Sequence, residues 1–220
     1  MRESQARPAP ARADPIGQVS GVREAAGVDS PTLVMALARG YYEDPVFGWY
    51  FPDDSRRLQQ LQRMFALFAA QVFGYGGAYT TAGIVGGAMW LSPDKWRLCP
   101  FTRLAVVHGL ASGVGLRHVP RALRGLYLTQ SRHPHQPPHC HLPFIGVEPQ
   151  WQSKGVGTAL LQPILARCDR EGLPAHVEAT SPRNRAFLER NGFEVIQQIA
   201  LRAGPPMWPM WRKPHSIHRA

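Results

Sequence analysis

The chain has 220 residues, 44% of them hydrophobic and 18% charged, enough to bury a core of its own in a single domain. Glycine and proline, 21 of each, stay below low-complexity or collagen-like levels, and no apolar run reaches the roughly 18 residues of a membrane span. Twenty-five basic residues against 15 acidic ones leave a net charge of +10, while three cysteines, Cys99, Cys140 and Cys168, odd in number and far apart, exclude a disulfide framework and point to a reducing, cytoplasmic setting.

Residues 1–15 hold three prolines among alternating Arg and Ala, with too little apolar surface to offset ordering, and read as a disordered tail. Residues 16–23 are predicted as a first strand. Ser30-Pro31 supplies an N-cap followed by proline in the first helical position. Leu33, Val34, Leu37, Ala38 and Tyr41 follow at helical spacing, until Asp44-Pro45 breaks the helix. Asp53, Asp54 and Ser55 offer caps for a second helix, whose apolar face is Leu58, Leu61, Phe65, Phe68 and Val72. Residues 78–81 and 84–91, split by Ala82-Gly83, read as a hairpin. Residues 110–128 read as basic helical segments broken at Gly113, Gly115 and Pro120.

In the second half, residues 141–147 form a short apolar strand. Residues 152–158 are a glycine-containing turn, and 158–169 a helix with Leu160, Leu161, Ile164, Leu165 and Cys168 on one face, bent by Pro163. A strand at 175–179 precedes a short helix at 184–190, ended by Asn191-Gly192. Residues 193–201 alternate as a strand and 207–211 make the last one. Strand, turn, helix, strand, helix, strand describes an α/β sheet with a central parallel pair.

The segment Val147-Glu148-Pro149-Gln150-Trp151-Gln152-Ser153-Lys154-Gly155-Val156-Gly157-Thr158 carries the chemistry. Glycines at a helix start let the backbone approach a ligand, and the first N–H groups of the helix lack internal partners. Those donors and the positive helix end suit a pyrophosphate, with Lys154 adding charge. The spacing matches neither a P-loop nor a dinucleotide fingerprint.

Gln152-x-x-Gly155-x-Gly157 after a strand ending in Val147, followed by Glu178, Asn184, Phe187 and Gly192-Phe193, resembles the GNAT superfamily of acetyl-CoA-dependent N-acetyltransferases. Within it, the chain is similar to puromycin N-acetyltransferase and its relatives. The resemblance is firm over residues 139–214 and loose before them. It implies one GNAT domain over 16–214, with a short tail at 215–220: a mixed, mostly antiparallel sheet whose central parallel pair splays apart, flanked by helices. The pantetheine arm of acetyl-CoA would lie in the gap between strands 141–147 and 175–179, against backbone groups of Ile145 and Val147. Asn184 matches the family's pantetheine-contacting Asn, while an N-cap role would explain it equally. The implied cradle is therefore Ile145, Val147, Gln152, Ser153, Lys154, Gly155, Val156, Gly157, Thr158 and Asn184. Acetyl-CoA enters as co-substrate, and the acceptor is a primary amine of a small molecule, acetylated by direct attack in a ternary complex.

Attack on a thioester needs a neutral amine, and the departing thiolate benefits from an acid. Relatives place a Tyr after the Phe of the short helix; Leu188 stands there in this chain, so a donor must come from elsewhere among Tyr41, Tyr42, Tyr50, Tyr75, Tyr79 and Tyr127, or the thiolate leaves unassisted. Glu178 and His141 are the candidate general bases, and Glu43 or Asp44 could bind the amine instead.

Other readings compete. His133, His135, His139, Cys140 and His141 suggest a metal, but an extended run points His139 and Cys140 to opposite sides, so the segment reads as a polar lead-in to a strand and no metal is expected. Seven Lys or Arg and no acid between Lys95 and Val147 attract anions. Because aromatics do not interleave with these cations, an anionic co-substrate is a better account than nucleic acid. No membrane partner is expected, and the oligomeric state stays open. A binding-only module that keeps acetyl-CoA without catalysis is the remaining alternative.

Overall fold

The computed structural model describes residues 21–74, 77–93, 95 and 119–215. The tail at 1–15, all but His215 of the tail at 215–220, most of the strand expected at 16–23 and the segment 110–118 lie outside them. The first strand among the described residues is β1 (Arg23–Glu24), which overlaps the end of the expected one. A single 3-10 turn then leads into α1 (Ser30–Gly40), whose N-cap is Asp29 rather than Ser30. Asp29 is drawn off by a bidentate pair with Arg23 at 2.6 and 3.0 Å, which ties β1 to the helix start.

Asp44 does break α1, and it also starts a helix the periodicity did not reveal. Its carboxylate accepts from the N–H groups of Val46 and Phe47 and so caps α2 (Pro45–Tyr50). Asp53 caps α3 (Asp54–Phe73), which buries Leu61, Phe65 and Val72 of its expected face. The hairpin is β2 (Ala78–Thr80) and β3 (Gly86–Leu91). A basic helix, α4 (Val119–Ser131), lies in the part of the expected helical stretch that is described, and it contains Pro120.

The second half comprises β4 (Cys140–Val147), α5 (Val156–Glu171), β5 (Ala175–Ala179), α6 (Pro182–Arg190), β6 (Glu194–Val195), β7 (Ile199–Ala200) and β8 (Pro206–Arg212). The alternating stretch 193–201 is not one strand. It divides into β6 and β7, whose register on β8 shifts by one residue between the pairs Val195–Met210 and Ile199–Met207. The Ile196 N–H still reaches the Pro209 carbonyl, and the Ile196 side chain is exposed. Ser181 caps α6, so capping does not account for Asn184.

The strands form one sheet in the order β1-β2-β3-β4-β5-β8-β6, with β7 joined to β8. Every pairing is antiparallel except that of β4 with β5. That parallel pair is short: Cys140, His141 and Leu142 face Ala175, His176 and Val177, and pairing stops there. The next residue is Pro143, which has no N–H for a ladder. The β3–β4 register also shifts between the pairs Met89–Phe144 and Leu91–His141, leaving one extra residue on β4. The splay expected from the resemblance is present, and it begins at the proline.

Two apolar layers cover the sheet. On one face α5 packs Leu160, Leu161, Ile164, Leu165 and Cys168 against Cys140, Leu142, Ala175 and Val177. On the other, α1, α2 and α3 bury Leu33, Leu37, Phe47, Leu61 and Phe65 against Met89 and Leu91. Cys140 and Cys168 are buried free thiols. Among the described residues no helix is long and apolar enough to cross a membrane.

Candidate active site

Beyond Leu142 the parting strands open a groove of about 610 Å³. Ile145, Gly146 and Val147 of β4 form one wall, and Thr180, Ser181, Arg183, Asn184, Phe187 and Arg190 the opposite one; Gln152, Ser153, Gly155, Gly157 and Thr158 lie at the start of α5. Gly155, the N-cap of α5, has φ +83°, and a Cβ there would touch nothing within 4 Å. Glycine is required at 155 for its left-handed backbone. At 157 the reason is space: a Cβ would stand 3.0 Å from the Phe187 ring. The Ala159 N–H bonds back to Gly155, so the N–H groups of Val156, Gly157 and Thr158 precede the internal ladder and remain available to an anion.

The groove gathers eight of the ten residues expected there. The other two side chains go elsewhere: Lys154 lies over the Trp151 ring at 4.9 Å, and Val156 is buried in the core beneath α5. Arg183 and Arg190 line the groove without having been singled out as cationic partners, and Arg183 reaches across to donate to the Ser153 hydroxyl at 3.1 Å. Asn184 accepts from the Thr180 N–H at 3.3 Å. Gln152 donates to the Val147 carbonyl at 3.0 Å, tying the turn before α5 to the end of β4.

The Ile145 N–H points into the gap, where it donates to the Tyr41 hydroxyl at 3.1 Å. Strand geometry directs the Val147 N–H, two residues on, the same way. Tyr41 is the last residue of the α1 pattern and packs edge-on to Phe47 and Phe144. Gly146 makes room for it, since a Cβ there would meet the Tyr41 ring at 3.1 Å. Burial raises the phenol pKa further above its ordinary value, with the carboxylates of Asp44 and Glu178 adding to the effect. Tyr41 therefore holds its proton.

On the other side of Tyr41 lies a second cavity of about 170 Å³. Its walls are largely aromatic, with Phe47, Tyr50, Phe51, Phe68 and Phe144, plus Met64 and Leu91. Glu178, His133, His141 and Thr180 make its polar side. His141 and His176 stand opposite each other in the parallel register, and Glu178 follows on the same face of β5. Glu178 lies 3.8 Å from His141 and 3.7 Å from His133. Burial holds the His141 and His176 imidazoles neutral, with pKa values lowered to about 3 and about 2. His176 and its place beside Glu178 were not anticipated; the signal lay in the pairing of two strands distant in sequence.

Leu188 is fully buried in the core with Leu160 and Phe193, and Phe187 takes the groove side of α6. The acid sought at 188 is therefore not on this helix face. Of the two acids considered for the amine, Glu43 and Asp44 both line the groove. Asp44 is already engaged by the α2 N–H groups and by the Thr180 hydroxyl. Burial nonetheless lifts its pKa to about 6.

Residues 38–193 match the model of the acetyltransferase (GNAT) family. An uncharacterised N-acetyltransferase of the fission yeast Schizosaccharomyces pombe is 35% identical over 83 residues, a match spanning 36% of this chain and 34% of that protein. Among solved structures, a Corynebacterium glutamicum protein described as histone acetyltransferase HPA2 and related acetyltransferase is 25% identical, with a TM-score of 0.63 over 90% of this chain and 97% of its own. The fold is also that of an agmatine N-acetyltransferase (17% identity, TM-score 0.58, 88% and 98% covered). Arylalkylamine N-acetyltransferase 2 from Aedes aegypti shares it as well (8%, 0.60, 89% and 99%).

Proposed function

The chain belongs to the acetyltransferase (GNAT) family, and from that premise we propose that it moves an acetyl group from acetyl-CoA to the primary amine of a small molecule with an apolar body. The observation that carries this reading is that Tyr41 and Thr180 line both cavities. A groove suited to a pyrophosphate carrier thus meets an aromatic chamber at one phenol and one hydroxyl.

Acetyl-CoA supplies the activated acetyl group as a thioester. The N–H groups of Val156, Gly157 and Thr158 hold its diphosphate, with Arg183 and Arg190 supplying charge. The splayed edge of β4 presents the Val147 N–H to the arm, and Asn184 faces it from α6. In the chamber, the rings of Phe47, Phe68 and Phe144 take the apolar part of the acceptor, and the Glu178 carboxylate receives the proton of its amine. His141 stands behind Glu178 and orients it. Tyr41 supplies a proton to the departing sulfur, a role Leu188 cannot fill. With aromatic walls and one carboxylate facing it, the chamber favours a monoamine over a multiply charged polyamine.

The test pairs cofactor binding with turnover. CoA at ~100 times its dissociation constant adds about 2.7 kcal/mol, raising the melting temperature by several degrees for a chain of this size. Thiol release from acetyl-CoA is then followed over a panel of arylalkyl monoamines, linear polyamines and lysine peptides. Release with the first group, and little with the others, is the expected result. A folded sample that shows no thermal shift with CoA contradicts the reading, and a shift without turnover on any amine favours the binding-only module.

A further inference from the structure

The polar end of the acceptor chamber carries more imidazole than acetyl transfer uses. His133, His141, His176 and Glu178 each bring one ligand-type atom within 4.8 Å of the others. The backbone places them there. His141 and His176 are opposite partners in the parallel pair, Glu178 is two residues along on the same face, and His133 comes down from the segment after α4.

Hydrogen bonding sets how His133 is presented. The Nδ1 of His139 lies 2.8 Å from the Pro137 carbonyl, which only accepts, so that nitrogen carries the proton and Nε2 keeps a lone pair. Facing it at 3.1 Å is Nε2 of His133, which must then be the donor. In a neutral His133 ring this leaves Nδ1 as an acceptor, aimed at Glu178 Oε1 from 3.7 Å. An imidazole nitrogen and a carboxylate oxygen at that range share either a proton or a cation. His176 Nδ1 lies 3.8 Å from the same oxygen and 3.2 Å from Nδ1 of His141, while His176 Nε2 is buried without a hydrogen-bond partner.

The geometry points to a binding site for a divalent first-row transition ion, held by His133 Nδ1, one ring nitrogen each of His141 and His176, and the Glu178 carboxylate. Three nitrogens and one carboxylate suit zinc best among the common ions. Tetrahedral donors around zinc stand about 3.3 Å apart; the 3.2 to 3.8 Å separations already come near this, and the widest pair closes as the His133 ring and the carboxylate turn toward a common centre. His139 is the outer partner that fixes the His133 tautomer, the arrangement usual behind a ligating imidazole.

A bound ion takes Glu178 and His141 out of the roles they have in acetyl transfer, so the metal-loaded chain is a form distinct from the catalytic one. The test reads metal and not acetyl transfer, and its failure leaves the acetyltransferase reading intact. Untagged protein is stripped with a chelator and titrated with Co²⁺, then with Zn²⁺. The expected result is one Co²⁺ per chain, with the intense visible bands of four-coordination, displaced by one equivalent of Zn²⁺. His133→Ala and His176→Phe should each weaken zinc by more than about 100-fold, and His139→Gln by about 10- to 100-fold, with circular dichroism verifying that each variant folds. His133→Ala changes a residue outside every strand and helix, so a folded variant is expected even if His176→Phe disrupts the sheet. A pale six-coordinate Co²⁺ spectrum, or a zinc affinity that His133→Ala leaves unchanged, overturns the site and leaves an imidazole–carboxylate hydrogen-bond network in its place.

Discussion

Asp44 shows how one side chain can serve structure and still respond to pH. It caps α2 through the Val46 and Phe47 N–H groups and accepts the Thr180 hydroxyl from β5's end, yet burial raises its pKa to about 6. An unfolded Asp titrates near ~3.9. Between those values the folded chain holds a proton that the unfolded chain has released, so the contribution to stability is fully present below about pH 4 and is lost as pH rises through about 6. Asp44→Asn does not titrate. Relative to the parent it should gain roughly 2–3 kcal/mol between pH 4 and pH 7, read by urea unfolding at both values; parallel pH profiles would show that burial does not perturb this carboxyl. Little of this was legible in the sequence. Asp44-Pro45 reads as a helix break, and a following helix of only six residues is too short to show a period. Tyr41 was one of six tyrosines that could supply a proton, and nothing singled it out, because a 3.6-residue period tells which face a residue occupies and not that two cavities meet on it.

At the level of elements, the turn into α5 was the most readable part. Gly155 and Gly157 mark a helix start, and the two glycines turn out to be needed for different reasons, backbone conformation at one and ring clearance at the other. Gly157→Glu puts a carboxylate among the N–H groups meant for the diphosphate and pushes on Phe187. CoA affinity should fall more than tenfold, at least about 1.4 kcal/mol, with the far-ultraviolet dichroism of the parent; an unchanged dissociation constant by calorimetry would remove the diphosphate from α5. The strand at 175–179 was equally legible, and its parting from β4 begins at Pro143, which cannot donate to a ladder. The stretch 193–201 misled because strict alternation is a statement about side chains, whereas the split lies in the backbone pairing, where the register on β8 slips by one residue between Val195 and Ile199. The histidine cluster failed for another reason. His141 and His176 are 35 positions apart, and only the register of β4 on β5 makes them neighbours.

Across the whole molecule, the last strand is secured to α5 by Arg212, which meets Asp169 through two bonds of 2.8 Å. Arg212 is only 3% exposed, and its guanidinium holds the Asp169 carboxyl below the ordinary range. Removing one partner of such a pair strands a buried charge, at about 3–5 kcal/mol. Asp169→Ala should lose stability on that scale in urea, and Arg212→Met added to it should recover part of the loss; a difference within about 0.5 kcal/mol would place the pair among inconsequential surface contacts. No local pattern links the two residues, so this tie came from the tertiary fold alone. The sheet's outer margins matter in a different way. Among the described residues its outermost strands, β1, β6 and β7, are two residues each, and Arg23, Glu24 and Glu194 in them are charged. A foreign strand finds scarcely any ladder to extend at either margin and meets charge where it tries, so this sheet is poorly suited to nucleating edge-to-edge fibrils even at high concentration.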